Sequence, residues 1–190
     1  MAYDRKQGGH RVAQANRPDY RLEIGRAEVA VGETRGFSIL DPARAATLRA
    51  WVATLIPASA SRPDAADVGA AEYVDATVLM VPALRPVLLQ AIDQLELIAT
   101  AKAERAFTEC TGDERELLLR EFEASDDTDA FNMVRDFTYE AYYGHSRVLE
   151  ALEADTGWSS TAPTSGSSMK PFDSSHLDRV RSLPSNWRKA

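Results

Sequence analysis

The chain has 190 residues, a net charge of −7 and 44% hydrophobic residues. That is one domain with tails, long enough to bury about two-thirds of its unfolded surface. Residues 27–156 hold 11 Lys/Arg against 24 Asp/Glu, a net of −13, and so acidic a body excludes ordinary nucleic-acid binding, because it repels phosphates.

The ends differ from the body. Residues 1–26 carry six Lys/Arg against three Asp/Glu, and residues 157–190 carry five against two. No run reaches the ~20 apolar residues that a membrane span needs. Met1 to His10 shows neither an apolar core nor a twin arginine, so the expected location is the cytoplasm. Cys110 stands alone, which rules out an intrachain disulfide.

Residues 1–36 read as an arm. Tyr20-Arg21-Leu22-Glu23-Ile24 alternates between apolar and charged positions, and Ala27 to Val31 alternates as well. Such short extended segments cannot form a sheet alone. The first helix opens at Asp41-Pro42, a capping carboxylate followed by a residue whose missing N–H costs nothing there. Leu48, Trp51, Val52 and Leu55 make its buried stripe, and Pro57 stops it. A loop rich in Ala, Ser and Pro leads to a second helix over about 67–80, with Val68, Ala71, Val74 and Val78 inward.

Pro82 then introduces a long helix, expected from Leu84 to about Phe107, with Leu84, Leu88, Ala91, Leu95 and Ile98 on one face. Thr111-Gly-Asp-Glu114 is a capping-box pattern, and it opens a fourth helix with Leu117, Leu118 and Phe122 inward. An acidic link, Glu123 to Asp129, leads into the segment that organises the rest. In Phe131 to Gly144, Phe131, Met133, Val134, Phe137, Thr138 and Ala141 recur at three- and four-residue steps and form one wide apolar helix face. Asp129 is the expected cap and Gly144 the expected stop. A short helix with Val148, Leu149 and Leu152 follows and ends at Gly157. Residues 159–168 are Ser, Thr, Gly and Pro, a linker composition. The fold expected is all-α: five or six helices in one domain over 37–158, an arm over 1–36, and a linker and tail over 159–190.

Few residues suggest chemistry of their own. The chain has no glycine-rich phosphate loop, no Cys-x-x-Cys and no Glu-x-x-His, so no catalytic, cofactor or metal residue is assigned. Asp126, Asp127 and Asp129 lack the length and central glycine of a calcium loop and read as a solvated link. Asp136, Glu140 and His145 fall near one helix end, where such groups usually serve as caps or ion pairs. The aromatics carry more information. Tyr139, Tyr142 and Tyr143 exceed what one buried stripe can hold, and Tyr and Trp favour interfaces. The candidate partner surface is therefore Tyr139, Tyr142, Tyr143, Trp158, Phe172 and Trp187, with packing under the chain's own arm or tail as the alternative.

The stretch Phe131-Asn-Met-Val-Arg-Asp-Phe-Thr-Tyr-Glu-Ala-Tyr-Tyr-Gly144, followed by Gly157-Trp158, resembles the C-terminal signature of the gluconate 2-dehydrogenase subunit 3 family. Leu55-Ile-Pro-Ala58 and Ala70-Ala-Glu-Tyr-Val-Asp75 resemble its N-terminal part. The resemblance covers residues 37–158 and implies a non-catalytic small subunit. Such a subunit binds and stabilises the large subunit of an FAD-dependent (GMC-type) sugar or sugar-acid dehydrogenase. It further implies a hetero-oligomer with FAD in the partner and none in this chain. Small subunits of the family often carry an export signal; this sequence departs there, so its complex stays in the cytoplasm or leaves on the partner's signal. The rival readings are a free-standing helical protein-binding module and an enzyme built on Asp136, Glu140 and His145.

Overall fold

A computed structural model of the chain describes residues 36–159 and 172–182. It divides into two units, residues 1–160 and 161–190. The described residues contain helices and no strand, as the all-α expectation requires.

In the first unit, α1 spans Pro42–Leu55, α2 Ala70–Met80, α3 Arg85–Ala103, α4 Gly112–Glu123, α5 Thr128–Gly144 and α6 Ser146–Thr156, with single 3₁₀ turns at Pro82–Leu84 and Phe107–Glu109. Helix α5 packs against each of the other five and most extensively against α2. Its Met133, Val134, Phe137 and Thr138 are fully enclosed, so the face read from the sequence is the face that is buried. Trp51 of α1, Phe122 of α4 and Phe131 of α5 meet with ring centroids 5.4–5.9 Å apart, tilted or edge-on. Offset and edge geometries of this kind suit ring quadrupoles.

Local chemistry sets most boundaries. The Asp41 carboxylate accepts from the Arg44 N–H at 2.9 Å. The Thr111–Glu114 capping box closes reciprocally, with the Thr111 N–H donating to Glu114 at 2.7 Å and the Glu114 N–H to the Thr111 hydroxyl at 3.4 Å. Gly157 ends α6 at φ 71°, a conformation that costs glycine little.

Several expectations are corrected. Helix α5 begins two residues early, with Asp127 in the cap position and Asp129 inside the first turn. Gly144 takes no left-handed conformation. The chain instead turns at an extended His145, whose Nδ1 accepts from the Arg147 N–H at 3.2 Å and starts α6 at once. Helix α3 stops at Ala103 rather than near Phe107, with Glu104 left-handed at φ 56°. The early stop lets Phe107 turn back into the core, where it is fully buried and its N–H donates to the Glu96 carboxylate at 3.1 Å. Residues 65–69 form a turn before α2, although Val68 still reaches the core. Leu117 is exposed, because Leu118, Leu119 and Phe122 share the inward arc of α4 and Leu117 lies off it.

One tie was not foreseen. Asp75, in the middle of α2 and 1% exposed, accepts from the N–H groups of Ser38 at 2.7 Å, Ile39 at 3.1 Å and Leu40 at 3.0 Å. A buried carboxylate thus fixes the strand of chain that enters α1. Beside it, the Arg49 guanidinium pairs with Glu72 and lies 4.7 Å from the centre of the Phe37 ring.

In the second unit, Ser174–Leu177 and α7, Asp178–Arg181, form one short helical stretch. The Asp173 carboxylate starts it by accepting from the Ser175 N–H at 3.0 Å.

Candidate partner interface

Successive residues on a helix advance by about 100°, so Tyr139 and Tyr143 leave α5 on nearly the same side and Tyr142 leaves it in another direction. Tyr142 turns inward. It is 2% exposed, its hydroxyl donates to the Pro63 carbonyl at 3.0 Å, and burial raises its pKa. Its place as a partner-facing residue is therefore corrected: Tyr142 is a structural tie between α5 and the loop after α1. Tyr139 and Tyr143, one turn apart, are 42% and 49% exposed, with ring centroids separated by 6.2 Å. Tyr143 also stands edge-on to Tyr142 at 5.1 Å, which holds the exposed pair against a fixed ring.

The loop beneath this edge is well anchored. The Ala65 N–H returns to the Ile56 carbonyl at 3.0 Å. The Ser61 hydroxyl donates to Asp155 of α6 at 2.7 Å, and Arg62 lies 4.0 Å from the same carboxylate. Two residues beyond α6 comes Trp158, 47% exposed, with its N–H on the Thr156 hydroxyl at 3.1 Å. Tyr139 also lines a groove of about 460 Å³ between the end of α1, α4 and α5, together with Leu55, Pro57, Leu119 and Phe131. Sequence reasoning missed that groove, since it is made by three helices far apart in the chain. Phe172 is exposed in the second unit. Trp187 lies outside the described residues.

The polar group Asp136, Glu140 and His145 divides among separate structural bonds. Arg135 pairs with Asp136 at 3.0 Å. Glu140 sits beside Tyr73 of α2, whose hydroxyl is pushed up to about 12 by burial and by that carboxylate. His145 caps α6. Nothing in this arrangement pairs a nucleophile with a base. Among the described residues, no group of three or more His, Cys, Asp or Glu is placed to hold a metal. Burial raises the Cys110 pKa, which keeps it a thiol, and only the thiolate is reactive.

Further apolar surface was not foreseen. Leu79 and Met80 are exposed at the end of α2, beside the turn into α3, and Leu97 is exposed on α3. No single helix among the described residues is long and apolar enough to cross a membrane.

No curated protein and no solved structure matches the chain. The family model described as gluconate 2-dehydrogenase subunit 3 matches residues 42–163, from the first residue of α1 to just beyond Trp158. That is well over half of the chain, and it takes in all six helices of the first unit. This chain therefore belongs to the gluconate 2-dehydrogenase subunit 3 family.

Proposed function

We propose that this chain is a non-catalytic small subunit that binds and stabilises an FAD-dependent, GMC-type dehydrogenase acting on a sugar or sugar acid. The observation that carries the reading is the family membership of the helical domain. The site geometry supports it: the exposed rings of Tyr139 and Tyr143 are held rigidly on a buried one, and their polar neighbours are engaged in structural bonds. Rigid aromatic rings bury a large area at little entropy cost, which suits a docking edge. Trp158 and Phe172 are further anchors in this reading.

FAD belongs to the partner in this proposal. The chain has no glycine-rich loop to cradle a pyrophosphate, so the isolated chain should pass through gel filtration without flavin absorbance. Co-expression with a dehydrogenase large subunit should yield a yellow complex that co-purifies on a tag carried by this chain. Tyr139→Ala combined with Tyr143→Ala should weaken that complex by at least about tenfold, as for a modest interface hot spot. A complex of unchanged affinity would move the docking edge elsewhere. Flavin retained by the isolated chain would refute the division of labour.

A further inference from the structure

Of the residues of α2, Leu79 and Met80 alone are exposed, by 50% and 58%. Pro82, Ala83 and Pro86 are exposed beside them. Val81 and Leu84 of the same turn are buried, and the Leu84 N–H donates to the Val81 carbonyl at 2.9 Å. The corner between α2 and α3 is therefore a rigid apolar knuckle. Its charge sets it apart. Residues 76–92 hold no Asp or Glu and one charged group, Arg85, in a body that carries 24 acidic residues over 27–156. Depletion of charge around exposed Met and Leu marks the centre of an interface rather than ordinary surface.

An acidic complement lies at the same end of the first unit. Tyr73, early in α2, sits beside Glu140, late in α5. The two helices pack extensively, and a parallel course would carry α2 past the end of α5 at Gly144, so they run antiparallel. Met80, about 10 Å beyond Tyr73, is then level with the first turns of α5. Asp126 and Asp129 are exposed there. Among the described residues, Arg85, Asp126 and Asp129 have no ion-pair partner.

We propose that this corner docks a second copy of the chain about a twofold axis. Leu79, Met80, Pro82 and Ala83 of the two copies form the apolar centre, and Arg85 of each copy faces Asp126 and Asp129 of the other. In such an isologous pair each patch meets itself, so a face that carries both members of a complementary pair satisfies both at once. Charge complementarity selects this occupant, because the unpaired cation and the unpaired carboxylates stand at one end of one chain. The patch is smaller than the roughly 20–30 residues a side of a standard interface, so the dimer is weak and forms with rising concentration. The corner lies about 15 Å along α5 from Tyr143, which leaves the tyrosine edge open. The inference therefore stands apart from the proposed function.

The test is sedimentation velocity of the full-length chain over about a hundredfold range of concentration, with the mass expected to rise from one chain toward two. Arg85→Glu alone, and Asp126→Lys with Asp129→Lys in a second chain, should each weaken self-association by about tenfold or more, because like charges then face each other twice. An equimolar mixture of those two variants should restore the dimer, since both contacts become attractive again. Met80→Glu should abolish it, and Tyr139→Ala with Tyr143→Ala should leave it unchanged. All the substituted positions are exposed, and circular dichroism checks that each variant keeps its helices. A parent chain that stays monomeric throughout would overturn the proposal. So would a dimer that survives Met80→Glu, or a mixture that does not re-associate. A monomeric parent whose Met80→Glu variant loses a co-expressed dehydrogenase subunit would give the corner to that partner instead.

Discussion

The Asp75 clamp supports a prediction whose size follows from the geometry. Asp75→Ala removes the acceptor for three backbone N–H groups. Ser38 is exposed and its N–H is readily rehydrated, but the N–H of buried Leu40 is left without a partner. A hydrogen bond to a charged group contributes about 1.5–3 kcal/mol, and a buried donor left unpaired costs a similar amount. Relief of the buried carboxylate's desolvation offsets part of this. The net expectation is a loss of about 3 kcal/mol, or about 10 °C in melting temperature for a domain of this size. Asp75→Asn retains a neutral acceptor and should lose about half as much. Urea unfolding of the two variants measures both values, and hydrogen exchange should accelerate at residues 38–40 before elsewhere. An Asp75→Ala variant within about 1 kcal/mol of the parent would refute the reasoning, because it would mean that the chain entering α1 is held by its apolar contacts alone.

Three further outcomes are expected. Phe137→Ala should cost about 3–5 kcal/mol in urea unfolding, since Phe137 is fully buried on the helix that touches the other five of the first unit; a melt close to that of the parent would contradict the packing. Tyr73 has a folded pKa of about 12 against an ordinary 10.0, so between those values the unfolded chain loses its proton first and stability falls as pH rises; Tyr73→Phe should flatten that alkaline decline, with Tyr142 still contributing, and an unchanged slope would count against the assignment. Glu104→Gly relieves a left-handed non-glycine residue worth about 1–2 kcal/mol while adding about 0.5–1 kcal/mol of unfolded-state freedom, so a small rise in melting temperature is expected and a fall would show that the Glu104 side chain stabilises the turn.

The candidate site was partly legible. Aromatic density in Phe131–Gly144 pointed to the helix on which the exposed Tyr139 and Tyr143 stand, because a pattern at helical spacing reports which residues share a face. It could not say which tyrosine turns inward. Tyr142 is buried by a carbonyl 79 positions earlier in the chain, and no local pattern encodes that contact.

The sequence by itself determined the helical class, the inward face of α5, the caps at Asp41 and Thr111, the stop at Gly157 and the resemblance to the family. These depend on spacing and on contacts within about one turn, where side-chain chemistry and backbone geometry are read together. The tertiary structure alone decided that α3 ends at Glu104, that Leu117 faces outward, that Asp75 is buried beneath the chain entering α1, and that α1, α4 and α5 enclose a groove. Each of these follows from packing between segments distant in the chain. Burial of Phe107 outweighs another turn of helix, and three N–H donors make a carboxylate tolerable inside the core.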